Sequence, residues 1–265
     1  MLKMIANYHT HTAFCKHAEG LPVDYCREAV ARGIEVLGFS DHCPQPDGRW
    51  NTVRMELEQL DDYFASIDAA KRQFPQLEIH SGFECEYRKD LGTWMPETFF
   101  APGRAEYLLF AEHSYLDEKG EWQDSWHLKT DEGLLGYARH AVEAMQSGWF
   151  SAFAHPDIFA HGGCGWHGAT IECARMILQT AQDCRIPLEI NCNGMHRKLL
   201  CDADGHIRRP YPYLPFWALA TQYDVQVFIG ADAHRPEFLC STSQDCLGIV
   251  HYFDLPLVEQ LPMHR

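Results

Sequence analysis

Seven short, mostly apolar runs recur along the chain, at 4–6, 34–39, 77–83, 107–111, 150–154, 187–190 and 225–229. Each is too short for a helix and lacks the polar alternation of a half-exposed antiparallel strand, so each reads as a strand covered on both faces in a parallel sheet. Between them lie segments that predict helices. In 22–32, Tyr25, Ala29 and Val30 fall at helical spacing, and Gly33 supplies the stop. In 55–74, Leu57, Leu60, Phe64 and Ile67 share one face. Further helices are expected at 131–147, 170–184, 216–223 and 237–250, and irregular segments at 86–104, 114–129, 159–168 and 193–213. Trp122 and Trp126, in 114–129, suit either a lid or packing over the end of the sheet. This rhythm closes into a (β/α) barrel of about seven strands in one domain, 1–265. An open doubly wound sheet is the competing reading.

The polar residues decide between the two. Each candidate ligand follows a strand: His9 and His11, then His17 in the next turn, His42, Glu84, His113, His155, Asp232 and His234. An open sheet would collect ligands in one crevice, whereas barrel active sites draw on nearly every strand end. Two imidazoles two apart on an extended strand lie on one side, about 7 Å apart at Cα, within reach of one ion. Seven imidazoles and two carboxylates suit zinc, iron or manganese better than magnesium or calcium. Asp41 and Asp157 stand beside ligand histidines as candidate outer carboxylates. His161 and His167, in a Gly-rich loop, are candidates for touching substrate.

The net formal charge of -15 argues against a nucleic-acid or anionic-membrane partner, although bound cations can still draw in a small anionic substrate. The eleven cysteines are scattered, odd in number and without a CxxC pair. With no leader-like N-terminal segment and no apolar run of membrane-spanning length, a cytoplasmic protein with free thiols is expected.

The ligand pattern resembles the PHP (polymerase and histidinol phosphatase) family, and within it the stand-alone histidinol-phosphate phosphatases. The motifs are His9-Thr10-His11 with His17 in the following turn, Phe39-Ser40-Asp41-His42, Gly82-Phe83-Glu84, His113, His155-Pro156 and Gly230-Ala231-Asp232-Ala233-His234. The resemblance implies a distorted (β/α)7 barrel holding three divalent ions (Zn, Mn or Fe). It also implies a division of ligands. His9, His11, Glu84 and Asp232 would hold one ion; Glu84 would bridge to a second, held with His113 and His155; His17, His42 and His234 would hold the third. Segment 188–197 resembles the phosphatase form, in which an arginine near Arg197 grips phosphate, and Arg235 is a second candidate clamp. At 110–114 the chain departs from those phosphatases, and Glu112 is expected to add negative charge beside the phosphate.

The expected activity is hydrolysis of a phosphate monoester, with L-histidinol phosphate giving L-histidinol and inorganic phosphate. Water would be activated between the two ions that Glu84 joins, Arg197 and Arg235 would bind phosphoryl oxygens, and Asp157 would protonate the leaving group or serve as an outer carboxylate. Another small phosphorylated metabolite is the rival substrate, and a non-catalytic metal-binding domain the rival class.

Overall fold

In the computed structural model, which describes residues 3–264, all seven apolar runs contribute strands to one parallel sheet. They are β1 (Ala6–Asn7), β2 (Val36–Phe39), β3 (Glu78–Cys85), β4 (Tyr107–Phe110), β7 (Ala152–Phe153), β8 (Leu188–Asn191) and β11 (Val227–Gly230), in that spatial order. The first and last strands meet: Thr10 and Ala233 form a parallel bridge, and the His11 amide donates to the Ala233 carbonyl at 3.0 Å. The sheet is therefore a nearly closed, distorted barrel.

Helices α1 (Pro22–Arg32), α2 (Leu60–Gln73), α3 (Trp94–Phe99), α4 (Asp131–Gln146), α5 (Gly168–Cys184), α6 (Leu214–Ala220) and α7 (Ser243–Phe253) lie among these strands in sequence. The first runs between its sequence signals, Pro22 at the start and Gly33 in the left-handed conformation at the end. The last begins later than expected, because a 3-10 turn at Pro236–Phe238 precedes it. The irregular segment 86–104 contains α3.

Segment 114–129 forms a hairpin, β5 (Ser114–Leu116) against β6 (Trp122–Asp124), which its polar, half-exposed residues conceal from pattern reading. A second two-stranded ribbon, β9 (Leu200–Cys201) with β10 (Ile207–Arg208), lies in 193–213.

The barrel separates two apolar layers. Tyr8, Val36, Tyr107, Leu109, Ala111, Ala152, Ala154 and Phe228 fill the interior, while Leu108, Phe110 and Phe153 join the larger core under the helices. The period-2 alternation of each strand thus fixes which residues at its end face the barrel axis. Tyr107 fills that interior so fully that a side chain at Gly82 would strike its ring and its backbone.

Candidate metal centre

Following the alternation out of β3, Gly82 and Glu84 face inward, and Glu84 becomes the hub of a buried cluster. Its Oε1 lies 2.9 Å from His155 Nε2, 3.3 Å from His9 Nε2 and 3.5 Å from His113 Nε2. Its Oε2 lies 2.7 Å from His42 Nδ1 and 3.5 Å from His11 Nε2. Asp232 Oδ1 stands 3.2 Å from His11 Nε2, 3.6 Å from His9 Nε2 and 3.5 Å from His234 Nδ1. His17 joins at the rim, its Nε2 2.9 Å from His234 Nε2 and its ring stacked on His42. All nine residues proposed from the sequence as ligands come together at the C-terminal end of the barrel.

These contacts fit ion ligation better than hydrogen bonding. Ligand atoms about 2.0–2.1 Å from a tetrahedral ion stand about 3.3 Å apart. His9 Nε2 and His11 Nε2 are 3.0 Å apart, and both lie at similar spacing from Glu84 and Asp232. His42 Nδ1 and Glu84 Oε2 approach to 2.7 Å, yet neither makes a geometrically sound hydrogen bond. Both are buried polar atoms left for another partner. Within the cluster, ligand atoms lie within 4.8 Å of one another in three groups: His9, His11 and Glu84; His42, Glu84 and His113; and His11, His42 and His234. His42 thus stands between the hub and the outer pair His17 and His234.

The electrostatics agree with this geometry. Burial alone would raise Glu84 and Asp232, but the surrounding imidazoles outweigh it and hold both well below the usual carboxylate range. Burial holds His42 well below its ordinary value, and burial with His234 nearby lowers His11 to about 3. Around His9 and His113 burial would lower the rings, but the adjacent carboxylates outweigh it and raise both. His155 and Asp232 adopt positive φ, 33° and 47°, a conformation that costs a non-glycine residue about 1–3 kcal/mol and clusters at functional sites.

Outer residues fix the ligand rings, and two of them escaped sequence reading. Glu189 is fully buried; its Oε1 accepts from His9 Nδ1 at 2.7 Å, and its Oε2 from the His155 amide at 2.8 Å and Asn191 Nδ2 at 2.9 Å. The side chain fits because residue 230 is glycine: a Cβ there would collide with Glu189 Oε1. Glu86 accepts from His113 Nδ1 at 2.8 Å and is paired with the buried Arg54. Both carboxylates had a signal. An acidic residue within a buried parallel strand needs a partner, and Glu86 repeats the inward register of Glu84.

Asp41 accepts from the Thr12 amide and hydroxyl, bracing the turn that carries Cys15, whose Sγ lies 3.3 Å from His11 Nδ1. Burial raises this carboxyl to about 6.

Glu112 departs from expectation. Register places it with Leu108 and Phe110 in the outer layer, where its Oε1 accepts from His140 Nδ1 of α4 at 2.8 Å. Burial raises it to about 7. It adds no charge beside the ligand cluster.

The remaining candidates sit around the mouth or behind it. Arg197 lies over the Trp126 ring at 5.4 Å, with Tyr211 and Asp232 in its field, and Trp126 is stacked on His113. His161 Nδ1 donates to the Trp126 carbonyl at 3.0 Å, whereas His167 is exposed at the start of α5. Asp157 is buried, and its Oδ2 accepts from the Tyr213 amide at 2.6 Å and Trp217 Nε1 at 2.9 Å. Arg235 pairs with Glu19 at 2.7 Å on the half-exposed rim. The eleven cysteines are free, and among the described residues no helix is long and apolar enough to cross a membrane.

Comparison with known proteins agrees with this architecture. The family model for the PHP domain matches residues 7–193. A probable histidinol-phosphatase of Deinococcus radiodurans is 28% identical over 243 residues, covering 88% of this chain and 87% of its own. The structure of histidinol phosphate phosphatase from Lactococcus lactis, complexed with zinc, L-histidinol and phosphate, superposes with a TM-score of 0.72 at 17% identity, covering all of both chains. That of a putative histidinol phosphatase from Listeria monocytogenes has a TM-score of 0.72 at 16% identity, covering 90% of this chain and 98% of its own.

Proposed function

Because the chain belongs to the PHP domain family, we propose that it is a metal-dependent phosphomonoesterase, acting as one domain over 1–265, whose substrate is L-histidinol phosphate. One observation carries the reading: eight ionisable side chains from the ends of β1, β2, β4, β7 and β11 converge with Glu84 of β3, five of them histidines on its carboxylate. The 28% identity to a probable histidinol-phosphatase over most of both chains supports the substrate. The outward placement of Glu112 removes a charge that would have opposed phosphate.

The nine residues would hold three divalent ions, of zinc, manganese or iron, and Glu84, in contact with five of the imidazoles, would be the ligand they have in common. When bound, such ions acidify water and draw charge from phosphoryl oxygens. The chain's own residues do the rest. His9, His11 and His113 present Nε2 because Glu189, Cys15 and Glu86 engage the opposite nitrogen. Arg197, anchored on Trp126 at the mouth, supplies a guanidinium for charge-assisted bonds to phosphoryl oxygen. Asp157, held by Tyr213 and Trp217, positions the turn that bears His155, and Arg235 belongs to the rim through Glu19.

A screen of phosphate monoesters, run on protein reconstituted with Zn or Mn, tests the reading. Histidinol phosphate is expected to give the highest kcat/KM. A far higher value on another ester would reassign the substrate, and no hydrolysis of any ester would refute the activity.

A further inference from the structure

Three arginines, Arg49, Arg54 and Arg88, lie against the two indoles Trp50 and Trp122 at the same end of the barrel. The Arg49 guanidinium is 4.6 Å and that of Arg88 5.2 Å from the Trp122 ring, while Arg54 is 5.0 Å from Trp50. The two indoles meet edge to face at 5.1 Å, so hairpin β5–β6 is clasped to the loop after β2. Trp50 holds φ at +58°, a left-handed conformation that bulky residues avoid, so the clasp over-determines its backbone.

Arg54 is nearly inaccessible, at 3% exposure. Nη1 donates to the Cys43 carbonyl at 3.1 Å, next to His42, and Nη2 donates to Glu86 Oε1 at 2.5 Å. The same oxygen accepts from His113 Nδ1 at 2.8 Å. A carboxylate can only accept, so this contact keeps a proton on His113 Nδ1 and leaves Nε2, the nitrogen facing Glu84, as the one available to ligate. Glu86 is itself buried close to Glu84, a second carboxylate. A buried carboxylate without a counter-charge is costly, and Arg54 is the cation that keeps this one in place.

We propose that Arg54 is a positioning residue for the metal centre, acting through Glu86 to hold His113 in the ring orientation and tautomer that ligate, with the Trp50–Trp122 clasp holding Arg54. The proposal rests on the metal-centre reading above, and its test contains a measurement that needs no ion. In metal-free protein, long-range 1H–15N spectra should report a proton on His113 Nδ1, and Arg54→Met should give a mixture of ring forms. In Zn2+ titrations against a chromophoric chelator, Arg54→Met should weaken one ion by about 10–100-fold and leave the others within two-fold. Arg54→Lys should recover part of that loss. In the loaded enzyme kcat should fall by a similar factor with KM within two-fold.

In a His113→Ala background, Arg54→Met should add nothing, because the two act along one path. An unchanged tautomer together with unchanged zinc affinity in folded Arg54→Met overturns the proposal, as does full additivity with His113→Ala. Should Arg54→Met not fold, Glu86→Gln decides on the same spectra and titration, and wild-type behaviour there overturns it. Wild-type protein that loads zinc but hydrolyses no ester would refute the phosphatase reading and leave the Arg54 result standing.

Discussion

Replacing Glu189 with glutamine keeps the size of the side chain and exchanges one acceptor for a donor, in a site where every neighbour of the carboxylate is itself a donor. Its three partners are His9 Nδ1 on one oxygen, and the His155 amide and Asn191 Nδ2 on the other. If the amide oxygen of glutamine turns to His9, its NH2 group confronts two buried donors, and each unmet donor costs about 1–3 kcal/mol. If it turns the other way, only His9 is confronted. The less costly state forces the His9 proton from Nδ1 to Nε2. That nitrogen stands 3.0 Å from His11 Nε2 and 3.3 Å from Glu84 Oε1, so a proton there removes the lone pair from the cluster. We expect Glu189→Gln to lose about 1–3 kcal/mol in urea unfolding. Metal affinity and kcat should fall by about 10–100-fold. The assay pairs metal analysis after dialysis with steady-state hydrolysis. A variant within two-fold of wild type in both would show that His9 does not depend on Glu189 and would refute this reasoning.

Three further outcomes are expected from the same geometry. Gly230→Ala drives a methyl group into Glu189 Oε1 and toward His9 Cβ, so it should cost about 1–3 kcal/mol of stability and at least ten-fold in kcat; a wild-type melting curve and rate would contradict this. Glu84→Gln removes the carboxylate common to five imidazole contacts and should lower kcat by more than about 100-fold, and retained turnover would refute its bridging role. Away from the centre, burial would raise Glu106, but His80 and Lys71 outweigh it and lower it from 4.5 to about 2, while the two glutamates Glu106 and Glu78 outweigh burial and raise His80 above 6.5. Glu106's contribution is present above pH 4.5 and lost as pH falls toward 2, and that of His80 is complete below pH 6.5 and lost above its raised value. Glu106→Gln should therefore lower the urea midpoint more at pH 5.5 than at pH 8.5, by an amount muted by solvent screening, and an equal or reversed difference would contradict the pairing.

How much of this was legible in the sequence depends on the range of the interaction concerned. Strands such as Val36–Phe39 and Val227–Gly230 announced themselves because burial on both faces leaves only apolar residues, and α1 because Pro22 and Gly33 mark its ends locally. The ligand positions were legible because each comes directly after such a run. The hairpin after His113 was not, since its strands are polar and gain their order from packing Trp122 on Trp50, about seventy residues earlier. The supporting shell was hidden for the same reason. Nothing near Arg54 in sequence marks an arginine that will be buried against Glu86, and Glu189 reveals its partner His9 only once β8 and β1 lie in the same barrel. Glu112 was misplaced because its neighbour His113 is a candidate ligand, although one step along a strand turns a side chain to the other face.

Metal analysis of the purified, reconstituted chain tests most directly whether Glu84 and the eight side chains gathered with it hold three ions. Close to three divalent ions per chain are expected, falling after Glu84→Gln as two sites lose a shared ligand. One ion or none, with no hydrolysis restored by added zinc or manganese, would contradict it.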